Sequence, residues 1–139
     1  MDPTIEGEAP GGAGSLYLGD TMGEMAFYYA LCDVAVIGGS FAPLGGQNLI
    51  EACAAGAPVV VGPHMFNFAD ATRLAVRAQA AVQVPDAAAA LGEARALLGD
   101  TERRARMGDA GRRLCERHRG AAARHLEACR RLLTARAPG

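Results

Sequence analysis

The stretch that most constrains this chain is Gly38 to Glu51, GGSFAPLGGQNLIE, a glycine-rich turn between two apolar segments. Before it, Cys32 to Ile37 reads as a short buried strand; after it, Asn48 to Ala55 reads as a helix that ends at Gly56. Glycine lets backbone amides approach a ligand closely and takes positive φ without strain. A helix N-terminus then offers N–H groups and a positive dipole end to a phosphate or carboxylate. Ser40, Gln47 and Asn48 add polar side chains, and Glu51 is expected on the same helix face as Asn48.

The neighbouring segments supply the rest of an α/β fold. Ser15 to Leu18 reads as a strand, followed by a helix to about Ala30 that Asp20 or Thr21 caps, with Glu24 near the third helical position. Ala57 to Val61 is a continuous apolar strand, as expected where both faces are covered. The loop Gly62 to Phe68 opens a helix from Ala69 to Ala78, with Phe66, Asn67 and Phe68 expected to pack against it and cap it. Ala81 to Val84 is a fourth strand, and Asp86 caps an alanine-rich helix ending near Gly99. Thr101 starts a final helical region, with interruptions expected near Gly108–Gly111 and Gly120.

Strands alternating with helices imply a parallel, doubly wound sheet, in which ligands sit at the carboxyl ends of strands. The Asp20–Glu24 turn, the Gly38–Asn48 loop and the Gly62–Asn67 loop all fall at those ends. Four strands make a thin sheet for a nucleotide-binding domain, so this reading expects further chain before the first strand. An open sheet edge can pair with a second copy. The division that follows is a flexible leader over 1–14, a partial Rossmann-like domain over 15–100 and an Arg-rich helical region over 101–139.

At 139 residues, half of them hydrophobic, the composition is that of one globular domain rather than a disordered chain. No apolar run is long enough to span a bilayer, and the first residues lack the pattern of a signal peptide. Cys32, Cys53, Cys115 and Cys129 have no metal-ligand spacing and read as reduced thiols of a cytoplasmic protein. Charge is divided along the chain: residues 1–100 hold three Arg against eleven acids, a net −8, and residues 101–139 hold eleven Arg against four acids, a net +7. The basic tail suits an anionic membrane surface or a solvated helix. Nucleic-acid binding is not favoured, since aromatics and nucleic-acid motifs are missing from it. His118 and His125 lie two turns apart on that tail and read as a solvated face.

LGDTMGEM (18–25), GGSFAPLGGQNLIEACAAGAPVVVGP (38–63) and HMFNF (64–68) resemble, in order and spacing, the C-terminal half of bacterial 3-deoxy-D-manno-octulosonic acid (Kdo) transferases. The resemblance implies the donor half of a GT-B glycosyltransferase, with a Rossmann-like parallel sheet and flanking helices. It implies an inverting, metal-independent, cofactor-free transfer of Kdo from CMP-Kdo to a lipid A precursor. That reaction runs at the cytoplasmic face of the inner membrane in lipopolysaccharide biosynthesis.

It further implies that Met22, Gly23 and Glu24, together with Asn48, Leu49, Ile50 and Glu51, are the donor-binding segments. Gly39, Ser40, Gly45 and Gly46 belong to the same implied binding set, with the backbone amides of Gly23, Gly45, Gly46 and Asn48 suiting the donor's phosphodiester and carboxylate. The family's motif has His where this chain has Gln47, which offers neutral hydrogen bonding instead of charge. His64, after Gly-Pro at a strand end, suits a donor-phosphate contact or a structural role. The family's catalytic base is a Glu in the acceptor-binding domain with no counterpart here, so a catalytically silent donor-domain piece is expected. Two other readings remain: the matching domain of another GT-B enzyme or a UDP-sugar epimerase, and a non-catalytic membrane-surface module.

Overall fold

A computed structural model describes residues 4–5, 16–19 and 24–136. Its centre is a parallel sheet of three strands in the order β3 (Ala35–Ile37), β4 (Val59–Val61), β5 (Ala81–Gln83), with Ala35 opposite Val59 and Val59 opposite Ala81. The run Val59-Val60-Val61 occupies the middle because all three side chains find cover, each at 0 % exposure. Strand side chains alternate between faces. Val59 and Val61 join one core with Leu49, Ala52, Cys53, Ala75 and Leu114, while Val60 joins a second with Ala90, Leu97 and Met107.

The expected fourth parallel strand is a correction. Leu16–Tyr17 (β2) pairs antiparallel with Thr4–Ile5 (β1), a strand inside the segment read as a leader, and the two form a separate hairpin. Apolar alternation over two or three residues marks a strand but not its partner.

Among the described residues, five helices flank the sheet: α1 (Met25–Leu31), α2 (Ile50–Ala54), α3 (Ala69–Arg77), α4 (Ala87–Leu98) and α5 (Thr101–Arg136). Asp86 caps α4 as expected, its Oδ1 accepting the Ala89 N–H at 2.7 Å. Helix α5 starts at Thr101 as expected, and Asp100 before it accepts the Arg103 N–H at 2.9 Å. Helix α1 begins at Met25, so Glu24 stands just before it rather than inside its first turn, and its carbonyl accepts the Phe27 and Tyr28 N–H groups. The proposed caps Asp20 and Thr21 lie outside the described residues.

The breaks expected in the last helix are absent: α5 runs unbroken through Gly108, Gly111 and Gly120. The first two glycines are there for close packing. A Cβ on Gly111 would lie 2.9 Å from the Cys53 carbonyl oxygen, and one on Gly108 would collide with the Gly56 carbonyl. Helix α5 therefore presses directly on the end of α2, where Gly56 turns the chain at φ +78°. Cys115 adds a long Sγ contact of 3.7 Å to the Ile50 carbonyl. Burial, then neighbouring Cys115, pushes the Cys53 thiol up to about 12. All four cysteines are free thiols; Cys129 is the exposed one.

Candidate functional site

The carboxyl ends of the three parallel strands are stitched together by one hydroxyl and one amide. Gly38–Ser40 leaves β3 as a 3₁₀ turn, which brings Ser40 back over the strand end. Its buried Oγ donates to the Ile37 carbonyl at 2.5 Å and accepts the Gly62 N–H at 2.7 Å. The Ser40 carbonyl accepts the His64 N–H at 2.9 Å. From β5, Gln83 Nε2 donates to the Gly62 carbonyl at 3.1 Å. Gly62 is thus held on both sides, and a Cβ there would sit 2.6 Å from the Ser40 oxygen and 2.7 Å from the Phe41 ring.

The two Gly-Gly pairs do different work. A Cβ on Gly38 or Gly39 would meet nothing within 4 Å, so their backbone lies open. Gly45 and Gly46 take φ +90° and +75°. A Cβ on either would run into the 64–67 loop, against Asn67 and Phe66 for the first and Met65 for the second. The Gly45 carbonyl also accepts the Asn67 N–H at 3.3 Å. The second pair clamps the central loop onto its neighbour and leaves the next residues to face outward.

Those residues are Gln47 and Asn48, both exposed, followed by Glu51, exposed in the first turn of α2. Helix α2 starts at Ile50, two residues later than expected, because Asn48 Oδ1 accepts the Ile50 N–H at 3.1 Å. One amide expected to face a ligand is therefore already engaged by the chain itself. Leu49 is fully buried and Ile50 half-buried, so they anchor the segment in the core and supply it with position. Ser40 likewise contributes position, its hydroxyl being committed to backbone partners. Glu24 is exposed and His64 half-buried; Met22 and Gly23 lie outside the described residues.

Three residues at this edge escaped the sequence reading. Gly62 and Gln83 form the stitch; the available signal was a polar Gln closing an otherwise apolar strand. The third is Tyr29 of α1, which is 8 % exposed. Burial first, then the Glu51 carboxylate and Cys32, push its phenol up, so the hydroxyl stays protonated close to Glu51. Asn67, expected as a cap, makes no side-chain capping bond; Phe68 holds the N-cap position of α3.

A cavity of about 730 Å³ lies elsewhere, among Ile50, Ala71, Leu74, Cys115, His118 and Ala122 of α2, α3 and α5. Among the described residues no group of three or more His, Cys, Asp or Glu could hold a metal ion.

A parallel sheet whose strand-end loops are stitched into one edge, with a glycine-rich turn on that edge, is the arrangement in which open α/β domains bind their ligands. Residues 12–114 match the glycosyl transferases group 1 family, and the chain belongs to that family. More narrowly, it is similar to enzymes named 3-deoxy-D-manno-octulosonic acid transferase. It is 58 % identical over 119 residues to that of Bordetella pertussis and 40 % identical over 121 residues to that of Haemophilus influenzae. Each match covers 86 % of this chain and 28 % of the relative, so the chain spans little more than a quarter of their length. Its fold matches the crystal structure of the C-terminal CMP-Kdo binding domain of WaaA from Acinetobacter baumannii. That match has a TM-score of 0.67 and 32 % identity, and covers 72 % of this chain and 52 % of that one.

Proposed function

We propose that the chain is the donor-binding part of a Kdo transferase and holds CMP-Kdo at the carboxyl edge of the β3-β4-β5 sheet. One observation carries this reading. The Gly38–Gly39 turn leaves β3 at the carboxyl edge of the sheet with open space around it, and the exposed Asn48 and Glu51 follow in the same loop and the first turn of α2. All of this lies in a chain similar to a CMP-Kdo binding domain.

The donor presents a phosphodiester, a carboxylate and several hydroxyls. Backbone N–H groups of the open turn suit the anionic groups, because they donate without adding a flexible side chain. Asn48 and Gln47 offer neutral hydrogen bonds. Glu51 and Glu24 suit ribose or sugar hydroxyls, since a carboxylate next to a phosphate would repel it. On this reading the chain binds and orients the donor without a metal or other cofactor. A carboxylate base from an acceptor-binding domain activates the hydroxyl of a lipid A precursor at the cytoplasmic face of the inner membrane.

Calorimetric titration with CMP and with UMP, each repeated on Glu51→Ala, tests the assignment. The expected result is CMP-selective heat that weakens about tenfold in the variant, the loss of one charged hydrogen bond. Preference for UMP would point to another sugar-nucleotide enzyme of the same family. Equal binding by the variant would move the site away from α2.

A further inference from the structure

Residues 1–100 hold three arginines in an otherwise acidic body, and two of them, Arg73 and Arg77, line one cavity. It measures about 440 Å³ at the carboxyl end of β5, and its walls come from residues 63–83 alone, the loop, helix and strand that follow β4. Pro63 and Phe66 form an apolar side, Thr72, Arg73 and Arg77 come from α3, and Gln83 closes β5. Phe66 also abuts the central loop, since a Cβ on Gly45 would lie 2.8 Å from its ring.

The polar groups of this cavity are poorly matched from within the chain. Arg73 and Arg77 are one turn apart on one side of α3. No acidic side chain lines the cavity, and Arg77 has no ion-pair partner among the described residues. Arg73 reaches Asp70 at 2.6 Å, but both side chains are exposed, and such a pair yields to a competing anion. The helix dipole accounts for one cation in the last turn, Arg77, and not for a second one beside it. Thr72 is 4 % exposed and shares the wall, and its buried Oγ1 has no hydrogen-bond partner. A buried hydroxyl left unpaired is costly, so the wall holds an unmade hydrogen bond. Gln83 is fixed beside it, its Nε2 donating to the Gly62 carbonyl.

We infer that this cavity binds a phosphate monoester carried on an apolar body. Two guanidinium groups one turn apart match a dianion, which a single carboxylate would only half neutralise. The Thr72 hydroxyl is a further donor in the same wall, and Pro63 and Phe66 give the apolar body a surface to cover. A nucleic-acid strand fits poorly, because a cavity takes one terminal phosphate and the acidic body around it repels a polyanion. The inference does not rest on the donor-site reading, since Gly38, Gly39, Asn48 and Glu51 take no part in the cavity.

The test is calorimetric titration of the whole chain with hexyl phosphate, inorganic phosphate and hexanol. Hexyl phosphate should bind, inorganic phosphate about tenfold more weakly, and hexanol not measurably. The variant R73Q/R77Q should weaken hexyl phosphate at least about tenfold, and T72V about threefold. Phe66→Ser should weaken hexyl phosphate and leave inorganic phosphate as it is. Unfolding midpoints verify that each variant is folded, and T72V, which removes an unpaired hydroxyl, should be at least as stable as the parent. Glu51→Ala should leave hexyl phosphate binding unchanged, which separates the cavity from the donor edge. Vesicles of phosphatidic acid carry the same monoester: binding that drops in R73Q/R77Q would support a lipid-borne ligand, and hexyl phosphate binding without it a soluble one. Three results would overturn the inference: undiminished hexyl phosphate binding by R73Q/R77Q, hexanol binding as tight as hexyl phosphate, or loss of hexyl phosphate binding in Glu51→Ala. The absence of saturable binding to the parent at about 10 mM hexyl phosphate would do the same.

Discussion

Two glycine pairs seven residues apart, Gly38–Gly39 and Gly45–Gly46, occupy one loop and answer to opposite constraints. The second pair is glycine because the chain must take positive φ while touching the 64–67 loop. In the first pair an added Cβ would meet nothing within 4 Å, although the Gly38 carbonyl accepts the Phe41 N–H. Glycine in a packed seam is explained by the fold itself. Glycine at an open turn has no such explanation in the packing, and the proposed function assigns it to close approach of the donor. The loop thus separates into a part that builds the edge and a part that the edge presents.

The largest effect is expected where the seam is tightest. Gly62→Val places branched carbons against the Ser40 carbonyl and the Phe41 ring, neither of which can retreat without breaking the stitch. Overpacking against backbone should cost about 3 kcal/mol or more, read as a fall in the midpoint of chemical unfolding. Gly46→Ala should cost less, about 2 kcal/mol, because positive φ is strained for alanine while the Met65 thioether it meets can swing away. Stability equal to the parent in the first variant would mean the edge is looser than this geometry.

Ser40→Ala comes next. It removes the acceptor for a buried Gly62 N–H and the donor to Ile37, leaving a desolvated amide and carbonyl behind. A loss of about 1–2 kcal/mol is expected, with Ser40→Thr costing additional strain from its methyl group in a fully buried site. Because the hydroxyl faces backbone on both sides, CMP affinity in the surviving folded fraction should change little. A loss of affinity exceeding the loss of stability would make Ser40 a ligand contact rather than a staple.

The sequence made the elements of the sheet legible through Val59-Val60-Val61 and the Asp86 cap, because burial on both faces and capping are local signals. A glycine-rich turn after β3 was legible too, but not that Gly45–Gly46 serve a packed seam while Gly38–Gly39 stay open. What was illegible is long-range. Gly108 and Gly111 look like helix breakers until Cys53 and Gly56 are placed beneath them. Ser40 looks like a binding residue until Gly62, far along the chain, is found at its hydroxyl. Leu16 and Tyr17 read as a strand, yet their partners Thr4 and Ile5 sit in a segment rich in Gly, Pro and Glu that composition alone assigns to a leader.

The smallest expected effect on stability is also the sharpest test of the comparison. Gly39→Ala adds a methyl group with nothing within 4 Å of it, at a position without positive φ. Folding stability should stay within about 0.5 kcal/mol of the parent, and restricting the unfolded chain can even raise it slightly. Donor binding should respond differently, since a methyl group on the open turn stands where a phosphate or carboxylate must reach the amides. About a tenfold loss of CMP affinity without loss of stability is the expected pattern in paired calorimetric and unfolding measurements, with Gly38→Ala as its companion. If both alanine variants bind CMP as the parent does, the first pair is only a turn. The donor contacts would then have to come from Asn48, Glu51 and the segment before α1, and the division of the loop into a building part and a presenting part would fail.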